Sequence, residues 1–126
     1  MRYVLDTTFV IDHLRGVPKA TARLARLAEL GDGVFVTEIV ACEAWVGARS
    51  ARDRSLTALL QYAEFVSPGP DQAKQAGRWR AEARAGGRTL SLPDALIAAT
   101  ADALGAAVLT RNVRDFALTP VRVESY

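Results

Sequence analysis

Short apolar runs alternate along this chain with longer stretches in which apolar residues recur every three or four positions. The runs Tyr3–Leu5, Val34–Val36, Glu64–Val66, Ala107–Thr110 and Val121–Val123 have the length and composition of short strands. Between them the 3.6-residue periodicity predicts helices over about Thr8–Leu14, Pro18–Leu30, Glu38–Ala48, Ala51–Ala63, Asp71–Ala85 and Pro93–Leu104. Punctuation agrees. Pro18 suits a first helical turn, "GDG" at Gly31–Gly33 stops a helix, and "SPGP" at Ser67–Pro70 makes a turn. Gly86-Gly87 and Gly105 end the two helices that follow. Strands separated by helices need crossover connections, so the expected fold is α/β, with a central, mainly parallel sheet of about five short strands flanked by helices. No repeat, low-complexity tract or long linker divides the chain, and residues 1–126 read as one domain.

Composition narrows the class. A chain of 126 residues, 50% hydrophobic, is long enough to bury a core. No run is long and apolar enough for a membrane span, and no leader pattern opens the sequence, so no membrane association or secretion is expected. The single cysteine, Cys42, has no internal partner, which suits a reducing cytoplasm. Net charge is only +2, yet all the basic residues except Lys19 and Lys74 are arginine. They gather at Arg15, Arg23 and Arg26, at Arg49, Arg52 and Arg54, and at Arg78, Arg80, Arg84 and Arg88. The planar guanidinium matches phosphate oxygens in pairs. Composition alone leaves two readings open, a nucleic-acid surface and an ordinary solvated helix face.

Four acids and their neighbours carry the candidate chemistry. In an open parallel sheet, ligands bind beyond the carboxyl ends of the strands. Asp6 stands where the first apolar run stops, and Thr110 closes a later one. Glu43 falls with Ile39, Val46 and Gly47 in an i, i+4, i+7, i+8 pattern, which puts it on an apolar helix face. Asp94 shares a face with Ile97, Ala98 and Ala101, and Pro93 sets it in a first helical turn, where the positive helix end favours a carboxylate. Asn112 and Asp115 fall in the loop after a strand.

Each acid alone has a plain structural reading. Asp94 would stabilise a helix start, and Glu43 would pair with an arginine. Asp6 would cap the next helix, a task Thr7 or Thr8 also suits, and Asp115 would be a turn residue. Together they ask for more. Buried carboxylates that converge without cations must lose their charge or bind something positive. Hard oxygen ligands suit magnesium or manganese. His13, the only histidine, reads as a surface residue and Cys42 as a small buried one, so no zinc cluster is expected.

The segments "YVLDTTFVIDHL", "VTEIVACEAWVGA", "LSLPDALIAATADALGAAVLTRN" and "RDF" resemble, in that order, the PIN-domain ribonucleases. The closest likeness is to the VapC toxins of bacterial and archaeal type II toxin–antitoxin systems, and "LPDALIAATA" followed by "LTRNVRDF" is its most specific part. The resemblance covers essentially the whole chain. It implies a PIN-like fold with an acidic pocket at the carboxyl ends of the strands. Asp6 and Asp94 would be the principal ligands of Mg2+, or of Mn2+, with Glu43 and Asp115 completing the pocket directly or through water. Thr7 and Thr110 would support it, and Asn112 stands where some relatives carry an aspartate. The implied reaction is metal-dependent endonucleolytic hydrolysis of RNA, leaving a 5′-phosphate and a 3′-hydroxyl. Arg78, Arg80, Arg84 and Arg111 would contact the RNA. The resemblance further implies a cognate VapB-type antitoxin and a homodimer, with Trp45 and Trp79 as candidate interface or core aromatics.

Rival readings fare less well. A haloacid-dehalogenase-type phosphatase wants a second aspartate where this chain has Thr8, and a dinucleotide-binding domain wants a glycine-rich turn that "DTTFV" lacks. The alternative from another class is a non-catalytic PIN-like module that binds RNA or protein. Occupation of all four acidic positions weighs against it.

Overall fold

A computed structural model of the chain describes residues 1–49 and 51–126, Ala51 by its backbone only. Strand β1 (Arg2–Leu5) leads into helices α1 (Thr7–Leu14) and α2 (Pro18–Leu30), and β2 (Gly33–Thr37) into α3 (Glu38–Val46) and α4 (Ala51–Tyr62). Strand β3 (Glu64–Val66) is followed by α5 (Pro70–Ala85) and α6 (Leu92–Leu104), then β4 (Ala107–Leu109), the short α7 (Val113–Phe116) and β5 (Val123–Glu124).

The five strands form one sheet in the order β3-β2-β1-β4-β5, parallel throughout. The chain steps outward from β1 to β3, then returns to the other side of β1 with β4 and β5. The order therefore reverses between β1 and β4, and a ligand crevice is expected beyond their carboxyl ends. Register sharpens this. Leu5 pairs with Leu109, so Asp6 and Thr110 leave the sheet side by side, and the Asp6 N–H donates to the Leu109 carbonyl at 3.0 Å.

These two central strands are covered on both faces. Val4, Leu5, Ala107, Val108 and Leu109 are fully buried, as a parallel sheet under helices requires. Helix α6 packs against β1, β4 and α5, and its buried Ala95, Ala98, Ala99 and Ala101 let the backbone come close. Phe9 of α1 and Phe116 of α7 fill the remaining space, both fully buried.

Some elements differ from the sequence expectation. The last strand is Val123–Glu124 rather than Val121–Val123, because Arg122 and Glu124 supply the carbonyls that Val108 and Thr110 donate to. Helix α7 occupies part of the expected loop, since four residues are too few to show a period. Helix α3 buries Val40, Ala41 and Ala44, and not the stripe through Ile39, Glu43, Val46 and Gly47. Val46 is 82% exposed, and Glu43 and Cys42 are exposed as well. "EIVACEAWV" is apolar nearly all round, so the 3.6 template fits more than one face. Trp79 belongs to the core, whereas Trp45 is partly exposed. Among the described residues no helix is long and apolar enough to cross a membrane.

Candidate active site

Asp6 follows β1 directly and opens α1, yet its side chain makes no cap hydrogen bond to that helix. Its carboxylate is instead held by two hydroxyls. Thr110 Oγ1 donates to Asp6 Oδ2 at 2.7 Å and Thr8 Oγ1 donates to the same oxygen at 2.9 Å. Each hydroxyl is oriented in turn by a backbone N–H. That of Asn112 donates to Thr110 Oγ1 at 2.9 Å, and that of Arg111 donates to Thr8 Oγ1 at 3.1 Å. Asp6 is only 4% exposed, and no arginine or lysine pairs with it among the described residues.

Glu43 reaches this group from α3. It accepts a hydrogen bond from Thr7 Oγ1 at 2.8 Å and forms no ion pair among the described residues. The reading of Glu43 as an arginine partner therefore fails. Asp94 stands in the first turn of α6, whose start is capped by Ser91: the Ser91 hydroxyl accepts from the Asp94 N–H at 3.2 Å. Helix capping thus falls to Ser91, and the Asp94 carboxylate is left for another role. Asp115, on α7, lines the same cleft as Asp94. Asn112 is the residue at which α7 begins, and its side chain makes no cap bond.

Electrostatics tie the four acids together. Burial raises the Asp94 pKa to about 6, the hydrogen bond with Ser91 pulls it down, and the charges of Asp6, Asp115 and Glu43 push it up. The charges of Asp6, Asp115 and Glu43 all reach Asp94. Yet they do not close round one point: among the described residues no three acidic, histidine or cysteine side chains form a ready metal cage. Mg2+ and Mn2+ keep several waters and take one or two carboxylates directly, so neither requires such a cage. The donors that the four acids offer are all carboxylate oxygens. An all-oxygen carboxylate set is the chemistry a hard divalent cation prefers.

A second carboxylate network, centred on Asp12, adjoins the first. Asp12 is 3% exposed and receives Arg111 Nη1 on both oxygens, at 2.9 and 3.0 Å. The Tyr126 hydroxyl donates to Asp12 Oδ2, and its ring meets Phe9 edge to face with centroids 4.9 Å apart. Burial, and then the nearby Asp12 carboxylate, push the Tyr126 pKa above its ordinary value. Because Arg111 also donates its backbone N–H to Thr8, this network braces the loop that holds Asp6. One signal was available: Asp12 stands three residues after the buried Phe9, on the same helix face.

The arginines divide. Arg80, whose Nε donates to the Leu90 carbonyl at 3.0 Å, lines a groove with Arg84 and Arg88. Arg78 is two positions from Arg80, about 200° round the helix, and is not part of that groove. Arg111 is engaged by Asp12. Arg88, grouped in the sequence with Arg78, Arg80 and Arg84, and Arg114, not singled out there, line the cleft of Asp94 and Asp115. His13 is half-buried rather than on open surface, and burial lowers its pKa.

Comparison with known proteins agrees with this geometry. The PIN domain family model matches residues 3–120. Ribonuclease VapC19 of Mycobacterium tuberculosis is 36% identical over 117 residues, covering 93% of this chain and 94% of the relative. Among solved structures, VapBC2 from Rickettsia felis, bound to a DNA fragment from the promoter, superposes with a TM-score of 0.87 at 22% identity, covering 100% of this chain and 99% of that one. VapBC-1 from nontypeable Haemophilus influenzae gives 0.83 at 25% identity, covering 99% and 98%. With the acids standing at the switch point of a parallel sheet and the family model spanning nearly all of the sequence, the chain belongs to the PIN-domain family and, within it, to the VapC ribonucleases.

Proposed function

We propose that this protein is a metal-dependent endoribonuclease and the toxin half of a type II toxin–antitoxin pair, acting in the cytoplasm. The observation that carries the reading is the buried Asp6 carboxylate at the switch point of the sheet, held only by neutral hydroxyls and close enough to Asp94 for its charge, with those of Asp115 and Glu43, to raise the Asp94 pKa. A non-catalytic module has no need of such a cluster, and the named ribonuclease relative argues against that alternative.

Each residue has a task. Asp6 is oriented by Thr8 and Thr110 through Oδ2, which leaves Oδ1 without a protein hydrogen bond among the described residues. Thr7 holds Glu43 in place. Asp94, on the rigid start of α6, and Asp115, on α7, form the opposite side. When bound, Mg2+ or Mn2+ supplies the positive charge that polarises a phosphodiester and activates water for in-line attack. Arg80 and Arg84, with exposed guanidinium groups, attract the RNA backbone.

The solved VapBC relatives support a VapB-type antitoxin as partner. A homodimer is supported by the exposed Trp45 and Val46 at the end of α3. The test of function is RNA 5′-end sequencing after expression of the wild type and of Asp94→Asn. Discrete new ends should appear with the wild type alone; equal cleavage by both proteins would overturn the assignment.

A further inference from the structure

The cleft holding Asp94 and Asp115 is also lined by residues of opposite charge. Arg88, Thr89 and Arg114 line it beside the two acids, in an open space of ≈ 820 Å³. Opposite charges that share a cleft ordinarily pair, but no ion pair joins either arginine to either acid among the described residues. A neighbouring groove of ≈ 630 Å³ runs along α5 past Arg80 and Arg84, and Arg88 and Thr89 belong to both. The two concavities therefore meet at Arg88 and Thr89.

The local fold explains how Arg88 reaches that junction. Helix α5 ends at Ala85, and Gly87 takes a φ of +74°, a left-handed conformation that a residue with a Cβ adopts only under strain. The Arg88 N–H then donates to the Ala83 carbonyl at 2.8 Å and the Gly87 N–H to the Arg84 carbonyl at 3.0 Å, closing a tight reversal. The reversal takes Arg88 off the helix and sets it between the Arg84 groove and the acid cleft. Arg80 is held from the other side by its bond to the Leu90 carbonyl. None of Arg80, Arg84, Arg88 and Arg114 has a carboxylate partner among the described residues.

A cleft lined by both unpaired acids and unpaired arginines fits a ligand that brings both charges, a phosphodiester together with a cation. We propose that Arg88 and Arg114 grip the phosphates on either side of the scissile bond. The strand then crosses Thr89 and continues along α5 over Arg84 and Arg80. This deepens, and rests on, the ribonuclease reading above. Arg88 and Arg114 are positioning residues that act on the RNA backbone, so their loss weakens binding alike for all sequences.

The test uses full-length protein carrying Asp94→Asn to prevent cleavage, with a fluorescein-labelled single-stranded RNA of random sequence. Affinity is followed by anisotropy across a series of KCl concentrations. Each of Arg84→Gln, Arg88→Gln and Arg114→Gln, added to that parent, should lower the slope of log affinity against log salt by about 0.7, the value for one phosphate contact on a single strand. Arg26→Gln, which removes an arginine lining neither cleft, should leave the slope unchanged. Unchanged slopes for Arg88→Gln and Arg114→Gln, while the wild type cleaves RNA, would overturn the strand path and leave the ribonuclease reading intact. A wild type that neither cleaves nor binds RNA would overturn both. Equal losses with poly-glutamate of matched length would assign the surface to an acidic peptide and likewise overturn the proposal. In wild-type cleavage, Arg88→Gln should raise KM more than it lowers kcat, with partial rescue by Arg88→Lys.

Discussion

Two buried aspartates stand on one stretch of chain, and their surroundings could hardly differ more. Asp12 receives a guanidinium nitrogen on both oxygens and a phenol hydroxyl on one, so its charge is answered within the protein. Asp6 is as deeply buried but meets only the neutral hydroxyls of Thr8 and Thr110, and its charge reaches a further acid, Asp94. Burying a carboxylate without a cation is unfavourable, and removing a partner from a buried pair is more so. The contrast is one of completeness: Asp12 has its positive partner within the protein, whereas Asp6 has none among the described residues.

The largest effect on stability should come from breaking the completed pair. Arg111→Met leaves Asp12 buried beside a tyrosine alone, and should destabilise by about 3 kcal/mol in a denaturant titration. The value sits at the low end for buried pairs because the Arg111 side chain is 57% exposed. A change within 0.5 kcal/mol, the usual range for an ordinary surface site, would erase the distinction between the two aspartates. Tyr126→Phe deletes one hydrogen bond to a charged acceptor and should cost about 1.5 kcal/mol.

Asp6→Asn should act in the opposite direction. Without divalent cation it removes repulsion among the acids, so the melting temperature should hold or rise. A fall of several degrees would make Asp6 a structural residue like Asp12. The smallest effect concerns pH. The Asp94 pKa is about 6 in the folded protein against 3.8 for the free side chain, so the native state keeps a proton that the unfolded chain has released. The stability this gives is fully present below about pH 4 and is lost as pH rises through about 6. Asp94→Asn should flatten that slope in metal-free buffer, by a modest amount because the group is only half-buried.

Much of this was legible in the chain itself. The alternation of short apolar runs and helical periods gave the α/β order, and the acids at the ends of "YVLD" and the start of "LPDALIAATA" gave the two sides of the pocket. What escaped did so for identifiable reasons. The partners of Asp12 lie 99 and 114 residues away, so no local pattern could pair them. Glu43 was put on the wrong face because α3 is apolar nearly all round. Arg88 joins the cleft only through the left-handed turn at Gly87, and "ARAGGR" reads equally well as the end of a solvated helix. Helix α7, which carries Asp115, is too short to announce itself by period.

The central claim is that the acids around Asp6 hold a divalent cation and Asp12 does not. Mn2+ binding, followed by electron paramagnetic resonance on the purified wild type, Asp6→Asn, Asp94→Asn and Asp12→Asn proteins, tests it most directly. Saturable binding is expected in the wild type and in folded Asp12→Asn, with affinity reduced about tenfold or more in the other two. Wild-type affinity retained by both Asp6→Asn and Asp94→Asn would contradict the account.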